Sequence, residues 1–283
     1  MLTPTAQIVA DAAASSGGAP AFNGITLEHG EAVVRAAERA GRPVILALSH
    51  NAVRFHGALR PVTAAYRALA EDAGVPVGLH LDHVEDLALV EEAAGLGFGS
   101  VMFDAATLPY ADNVRATREA ARLLHDAGLW LESELGEIGG KDGAHAPHVR
   151  TDPDEAARYV AETGVDALAV AVGSSHAMTG RTASLDLDLV GRLRRSVPVP
   201  LVLHGSSGVP DEGLRAAVAA GLVKVNVGTQ LNIAYTAAVR EGLDNATKPD
   251  PRPWLADARE AMTDTVARLI EVISTPSGGP AHP

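Results

Sequence analysis

Three histidines in this sequence each stand where an apolar run ends. His83 closes one such run directly after Asp82, and His176 and His204 follow two later runs. Three imidazoles are one short of a tetrahedral zinc shell, and an open fourth position is typical of a catalytic rather than a structural zinc site. The pattern predicts a zinc site beside a carboxylate that can carry a proton.

Short apolar runs that could hold these residues alternate with amphipathic helical segments along the chain. This alternation favours a parallel sheet with crossover helices. We expect eight strands: Pro20–Ile25, Pro43–Ser49, Val75–His83, Ser100–Ala105, Leu129–Ile138, Val165–Gly173, Val199–Gly205 and Leu222–Thr229. Eight such units are enough to close a (β/α)8 barrel, or TIM barrel.

Several of the helical segments are followed by a glycine, as expected at a helix C-cap. A further helix is predicted over Pro253–Ile273, beyond a barrel that would span about residues 20–245. We therefore expect residues 1–283 to form a single α/β domain, a TIM barrel with an additional C-terminal helix.

In a TIM barrel the catalytic groups lie at the C-terminal ends of the strands. The polar residues of this chain follow that rule, since they fall late in the predicted strands or just beyond them: Asn23, Ser49, Asp82, His83, Asp104, Glu132, Glu134, His176, His204 and Asn226. Adjacent residues of a regular strand point to opposite faces. At least one of Asp82 and His83 must therefore lie where the strand has begun to turn.

Composition excludes several classes of function. The chain has 283 residues, 47% of them hydrophobic and 20% charged, which is typical of a folded globular protein. Its formal net charge of -12 argues against a nucleic-acid partner, because such binding depends on Lys and Arg. There is no cysteine, so a metal would need imidazole and carboxylate ligands. No secretory signal or membrane-spanning run is evident, which predicts a cytoplasmic protein without a membrane partner.

The sequence resembles the class II (zinc-dependent) ketose-bisphosphate aldolases, which include fructose- and tagatose-1,6-bisphosphate aldolases. The resemblance runs from about Pro20 to Met262. Its marks, in order, are Pro20-Ala21-Phe22-Asn23, Leu79-His80-Leu81-Asp82-His83, Asp104, Glu134-Leu135-Gly136 with Gly139-Gly140, Gly173-Ser174-Ser175-His176, His204-Gly205-Ser206-Ser207, Lys224-Val225-Asn226-Val227-Gly228-Thr229 and Asp250-Pro251-Arg252. The resemblance implies a lyase of carbohydrate metabolism that reversibly cleaves a ketose 1,6-bisphosphate to dihydroxyacetone phosphate and glyceraldehyde 3-phosphate.

The resemblance also implies a metal site. His83, His176 and His204 would carry the catalytic zinc ion. Asp104 and Glu134 would line a neighbouring position for a second divalent or a monovalent cation. His29, His56, His125 and His282 are expected to be ordinary buried or surface histidines, and His80 is expected to orient the site.

Two acids are implied as proton carriers. Asp82 matches the residue that serves the C4 hydroxyl of the ketose, where cleavage of the C3–C4 bond needs a base. The long loop Gly139–Thr151 has the length of a mobile lid. In the family this loop carries a glutamate that exchanges the carbon-bound proton; this chain departs from the family there, and Asp142 is the candidate substitute.

The substrate-binding residues implied by the resemblance are Asn23, Ser49, Gly205, Ser207, Asn226, Thr229 and Arg252. Gly205, Ser207, Asn226 and Thr229 match positions for the phosphate next to the ketone. Ser49 and Arg252 match positions for the far phosphate, and the arginine reaches the neighbouring subunit in relatives. We therefore expect a homodimer or homotetramer. Ala177 is a second departure, where the family has glycine.

Three alternatives stay open. The substrate could be another phosphorylated ketose. An aldolase of the other mechanistic class would form a Schiff base through a barrel lysine, for which Lys224 is the candidate. A non-catalytic, aldolase-like assembly subunit would keep the fold without the reaction.

Overall fold

The computed structural model describes residues 1–135, 149–174 and 180–275. The strands in these ranges are β1 (Ala19–Gly24), β2 (Val44–Ser49), β3 (Val77–Val84), β4 (Ser100–Phe103), β5 (Trp130–Glu134), β6 (Ala167–Ala169), β7 (Leu201–Leu203) and β8 (Leu222–Val227). They are parallel and pair in chain order, and β8 pairs with β1 to close the barrel. The predicted (β/α)8 barrel is confirmed.

Helices surround this barrel in the described part of the chain. They are α1 (Thr5–Ala14), α2 (Leu27–Ala40), α3 (His50–His56), α4 (Arg60–Asp72), α5 (Leu87–Ala94), α6 (Tyr110–Asp126), α7 (Pro153–Thr163), α8 (Leu187–Ser196), α9 (Asp211–Ala220), α10 (Thr229–Asp244) and α11 (Arg252–Ser274). The additional C-terminal helix, α11, is confirmed; it packs against α2 and α10. Helix α1 was not predicted, and it packs against β1, β2, β3 and β8.

Two strands are shorter than their apolar runs predicted. The runs Val165–Gly173 and Val199–Gly205 contain β6 and β7, which are three residues long each. Val172 is fully buried although it lies beyond the paired part of β6. The length of an apolar run indicates how many residues are buried. Residues can stay buried beyond the last pair of a strand.

The barrel interior is packed below the strand ends. Met102, Ala167, Ala169 and Val202 form a buried cluster, separate from the main core that lies between the strands and the helices. Because side chains alternate between faces along a strand, the next inward residues beyond this layer lie at the C-terminal mouth. On the side of β4, β6 and β7, the barrel interior beneath the mouth is therefore packed with apolar side chains.

The helices in the described ranges are not membrane spans, since none of them is both long enough and apolar enough to cross a bilayer.

Candidate active site

The end of β3 brings Asp82 and His83 to the same side of the sheet. The pairing of β3 with β4 shifts register between Leu81 and Val84, and His83 adopts a left-handed backbone conformation with φ of 52°. Nε2 of His83 consequently lies 4.0 Å from Oδ2 of Asp82. The predicted turn within this pair is present, and it places a non-glycine residue in a sparsely populated conformation of the kind that clusters at functional sites.

Asp82 is completely buried among hydrogen-bond donors. The side-chain amides of Asn23 and Asn226 donate to its two carboxylate oxygens at 2.7 and 3.3 Å, and Nε2 of His80 lies 3.5 Å from Oδ1. Burial alone would raise the pKa of Asp82, but His83 and the other nearby imidazoles hold that pKa well below its ordinary value. Asp82 is therefore ionised and can accept a proton.

Two imidazoles face each other across the mouth. Nδ1 of His83 lies 2.9 Å from a carboxylate oxygen of Asp104, and Nε2 of His204 lies 2.7 Å from a carboxylate oxygen of Glu132. A carboxylate only accepts, so these two ring nitrogens carry the protons. The other nitrogens, Nε2 of His83 and Nδ1 of His204, lie 3.1 Å apart in a hydrogen bond, so both rings point a nitrogen at the same place in the mouth.

The donor set around these rings fits a divalent cation. Ligand atoms of Asp82, His83 and His204 lie within 4.8 Å of one another, as do those of His83, Asp104 and Glu134. Burial alone would lower the pKa of His83, but the surrounding carboxylates, first Asp82 and then Asp104 and Glu134, raise it to about 10. The negative charge of these carboxylates attracts a cation. A mixed set of imidazole and carboxylate ligands suits zinc.

Two of the predicted residues, the ligand His176 and the acid Asp142, lie outside the described residues.

A buried ion pair below the imidazoles was not predicted. Nζ of Lys224 lies 2.7 Å from Glu132 and 2.6 Å from the side-chain oxygen of Asn226, and both charged side chains are fully buried. Burial alone would raise the pKa of Glu132, but Lys224 and His204 lower it to about 2. The sequence held a signal for this pair, because Glu132 with Glu134 and Lys224 with Asn226 share strand parity and so point into one interior.

A cleft of about 180 Å³ opens next to these groups. It is lined by six of the seven predicted substrate-binding residues, namely Asn23, Ser49, Gly205, Ser207, Asn226 and Thr229. Helix α10 begins at Thr229, so its first backbone N–H groups and its positive dipole end lie at the cleft. The seventh residue, Arg252, is not among the lining residues; its exposed guanidinium pairs with Asp250 at 2.6 Å at the start of α11.

Comparisons with known proteins place the chain in one family. The family model described as fructose-bisphosphate aldolase class-II matches residues 3–277. A fructose-bisphosphate aldolase from Thermus caldophilus is 36% identical over 97% of this chain and 99% of its own length. The YdjI aldolase from Escherichia coli K12, known from a crystal structure, is 31% identical in sequence to this chain. The two structures superpose with a TM-score of 0.86 over 96% of this chain and 97% of that chain.

A second solved structure, a putative fructose-1,6-bisphosphate aldolase from Coccidioides immitis, is 30% identical with a TM-score of 0.85. It covers 95% of this chain and 96% of its own.

Proposed function

Since the chain belongs to the class II fructose-bisphosphate aldolase family, we propose that it is a zinc-dependent lyase that reversibly cleaves a ketose 1,6-bisphosphate of the fructose or tagatose type. The products would be dihydroxyacetone phosphate and glyceraldehyde 3-phosphate. The observation that carries the proposal is the pair of facing imidazoles, His83 and His204, beside the ionised carboxylate of Asp82.

His83 and His204 would hold the zinc ion, together with the predicted third ligand His176. When bound, the ion supplies an electron sink by polarising the ketose carbonyl. Asp104 and Glu132 keep the two imidazoles in the tautomers that a metal requires, because each accepts the proton of the distal ring nitrogen.

Asp82 would take the proton of the C4 hydroxyl during cleavage and return it during condensation. The side-chain amides of Asn23 and Asn226 hold its carboxylate in place, so that Asp82 needs no reorganisation before it accepts the proton. Asp142 is our candidate for the acid that exchanges the carbon-bound proton.

The cleft beside the metal ligands would bind the phosphate next to the ketone. Gly205, Ser207, Asn226 and Thr229 line it and offer backbone N–H groups, a hydroxyl and an amide, which suits a phosphate in a chain of net charge -12. We assign Ser49 and Arg252 to the far phosphate, with Arg252 reaching a neighbouring subunit.

The geometry disfavours the Schiff-base alternative. A lysine that attacks a carbonyl must present Nζ to the substrate, but Nζ of Lys224 is fully buried in contacts with Glu132 and Asn226. EDTA should therefore abolish cleavage, and borohydride with substrate should trap no adduct. The opposite pair of results would establish the imine mechanism.

The decisive experiment measures zinc content and cleavage of a panel of ketose mono- and bisphosphates by the purified protein. About one zinc per chain and turnover of a 1,6-bisphosphate are expected. A protein that holds no zinc and cleaves none of the panel would be the non-catalytic assembly subunit. Turnover of a ketose monophosphate alone would show that the substrate is another phosphorylated ketose.

A further inference from the structure

Asn232 lines the same cleft, although no sequence motif singled it out. It follows Thr229 by three residues on α10, so the two side chains are neighbours on one face of the helix. Oδ1 of Asn232 lies 3.3 Å from Nε2 of His29, a histidine from the first turn of α2 that is 2% exposed. Asn232, which lines the cleft, is thus hydrogen-bonded to a buried imidazole.

The contacts of His29 decide which end of the Asn232 amide faces the cleft. The backbone N–H of Thr26 donates to Nδ1 of His29 at 3.4 Å, and the Thr26 hydroxyl oxygen lies 3.1 Å from the same nitrogen. Because a backbone N–H can only donate, Nδ1 carries a lone pair and Nε2 carries the proton. Burial lowers the pKa of His29, in agreement with a neutral ring. Since Nε2–H donates to Oδ1 of Asn232, the amide NH2 lies on the side away from His29.

The position of His29 is itself well defined. Its ring stacks on Tyr235, with centroids 5.2 Å apart and an angle of 28° between the planes. Tyr235 lies three residues after Asn232 on α10, so the ring contacts the same helix twice. Helix α2, which follows β1, and helix α10, which follows β8, are thereby joined next to the cleft.

We propose that Asn232 is a further binding residue of the phosphate cleft, which donates its amide N–H groups to the bound phosphate, and that His29 is the positioning residue that orients it. The inference rests on the proposed function of the cleft. Asn232 would supply a side-chain donor about one turn after the backbone N–H groups at the start of α10.

The first test measures binding of inorganic phosphate to the zinc-loaded full chain by calorimetry. Asn232→Asp is isosteric and replaces two donors by an anion, so it should weaken phosphate binding by about tenfold or more. Asn245→Asp makes the same change at the exposed C-terminal end of α10 and should leave binding unaltered. Thr229→Val serves as the positive control.

Two failures are distinguishable. If the wild-type protein and Thr229→Val differ in phosphate binding but Asn232→Asp equals the wild type, the role of Asn232 is wrong and the cleft assignment stands. If the wild-type protein binds no phosphate, the cleft assignment fails and this inference fails with it.

A second pair of variants tests the orienting role of His29. His29→Phe keeps an aromatic ring against Tyr235 but cannot donate, so phosphate binding should weaken about threefold or more while zinc content stays at the wild-type level. His29→Gln can donate from its amide and should restore most of the affinity. Equal losses in both variants, with zinc retained, would overturn the orienting role.

Discussion

The imidazoles of His83 and His204 are each held on the far side of the ring by a carboxylate. Asp104 and Glu132 accept the distal ring protons, and the two nitrogens that face each other lie 3.1 Å apart in a hydrogen bond. A bound cation would replace the proton that these two nitrogens share. The two carboxylates would then keep both rings in the orientation that the proposed metal site requires.

We expect His83→Ala and His204→Ala each to lose the tightly bound zinc, because a catalytic zinc site uses three protein ligands and each variant removes one of them. His176→Ala should do the same. Zinc is measured by elemental analysis after dialysis, with His125→Ala as the control at an exposed histidine paired with Asp166. Full zinc occupancy in any two of the three variants would refute the ligand assignment.

Asp82→Ala should keep zinc and fold but lose cleavage by at least about a hundredfold, which is the usual scale for a positioned proton carrier. The reason is that Asn23 and Asn226 hold this carboxylate in place at the mouth. Steady-state kinetics on the zinc-loaded variant provides the measurement. Near-normal turnover would transfer the role to another acid, with Glu134 as the next candidate.

At the scale of elements, β5 and β8 are joined through the barrel interior. They are not neighbours in the sheet, so the contact between Glu132 and Lys224 crosses the barrel. Lys224 also orients Asn226, whose amide then donates to Asp82. One buried ion pair thus supports both His204, a proposed metal ligand, and Asp82, the proposed proton carrier.

Lys224→Met should destabilise the fold by about 3–5 kcal/mol, because it leaves the carboxylate of Glu132 buried without its cation. Adding Glu132→Gln should recover part of that loss. The unfolding midpoint in urea measures both effects. The control is Arg122→Ala, which breaks an exposed pair with Glu119 and should not shift the midpoint.

If Lys224→Met unfolds at the wild-type midpoint, the pair contributes little to stability. The link between β5 and β8 would then serve only the site.

At the scale of the whole molecule, α11 adds a layer outside the barrel. It packs against α2 and α10, and it begins at Arg252, whose guanidinium is exposed rather than turned to the cleft of its own chain. We propose that residues 1–283 act as a single domain and that Arg252 completes a site of a neighbouring subunit.

The active species should accordingly be at least a dimer, since a shared site needs two chains. Sedimentation and specific activity across a dilution series test this. A monomer with full specific activity would contradict a shared site.

Arg252→Ala should slow cleavage of a ketose 1,6-bisphosphate roughly ten- to a hundredfold more than cleavage of a ketose 1-phosphate, which has nothing for this arginine to bind. Asn226→Ala should slow cleavage of both substrates about equally, because Asn226 would contact the phosphate that the two substrates share. The measured quantity is the ratio of specificity constants. Equal slowing of both substrates by Arg252→Ala would refute the bisphosphate assignment.

The sequence alone determined the fold class and most of the candidate site. Alternating apolar runs and helical segments predicted eight strands, and the residues at the run ends predicted the polar mouth. These features depend on local periodicity, which a strand or helix imposes on its own residues. The exact ladder of β6 and β7 escaped prediction because hydrophobicity measures burial and not pairing.

Only the tertiary structure decided which inward side chains meet. The contacts of Glu132 with Lys224, of His83 with His204 and of His29 with Asn232 join residues far apart in the chain. Their distances depend on the register and closure of the barrel, which no local pattern specifies. The left-handed turn at His83 has the same origin, since surrounding contacts must hold a strained backbone that the residue itself does not favour.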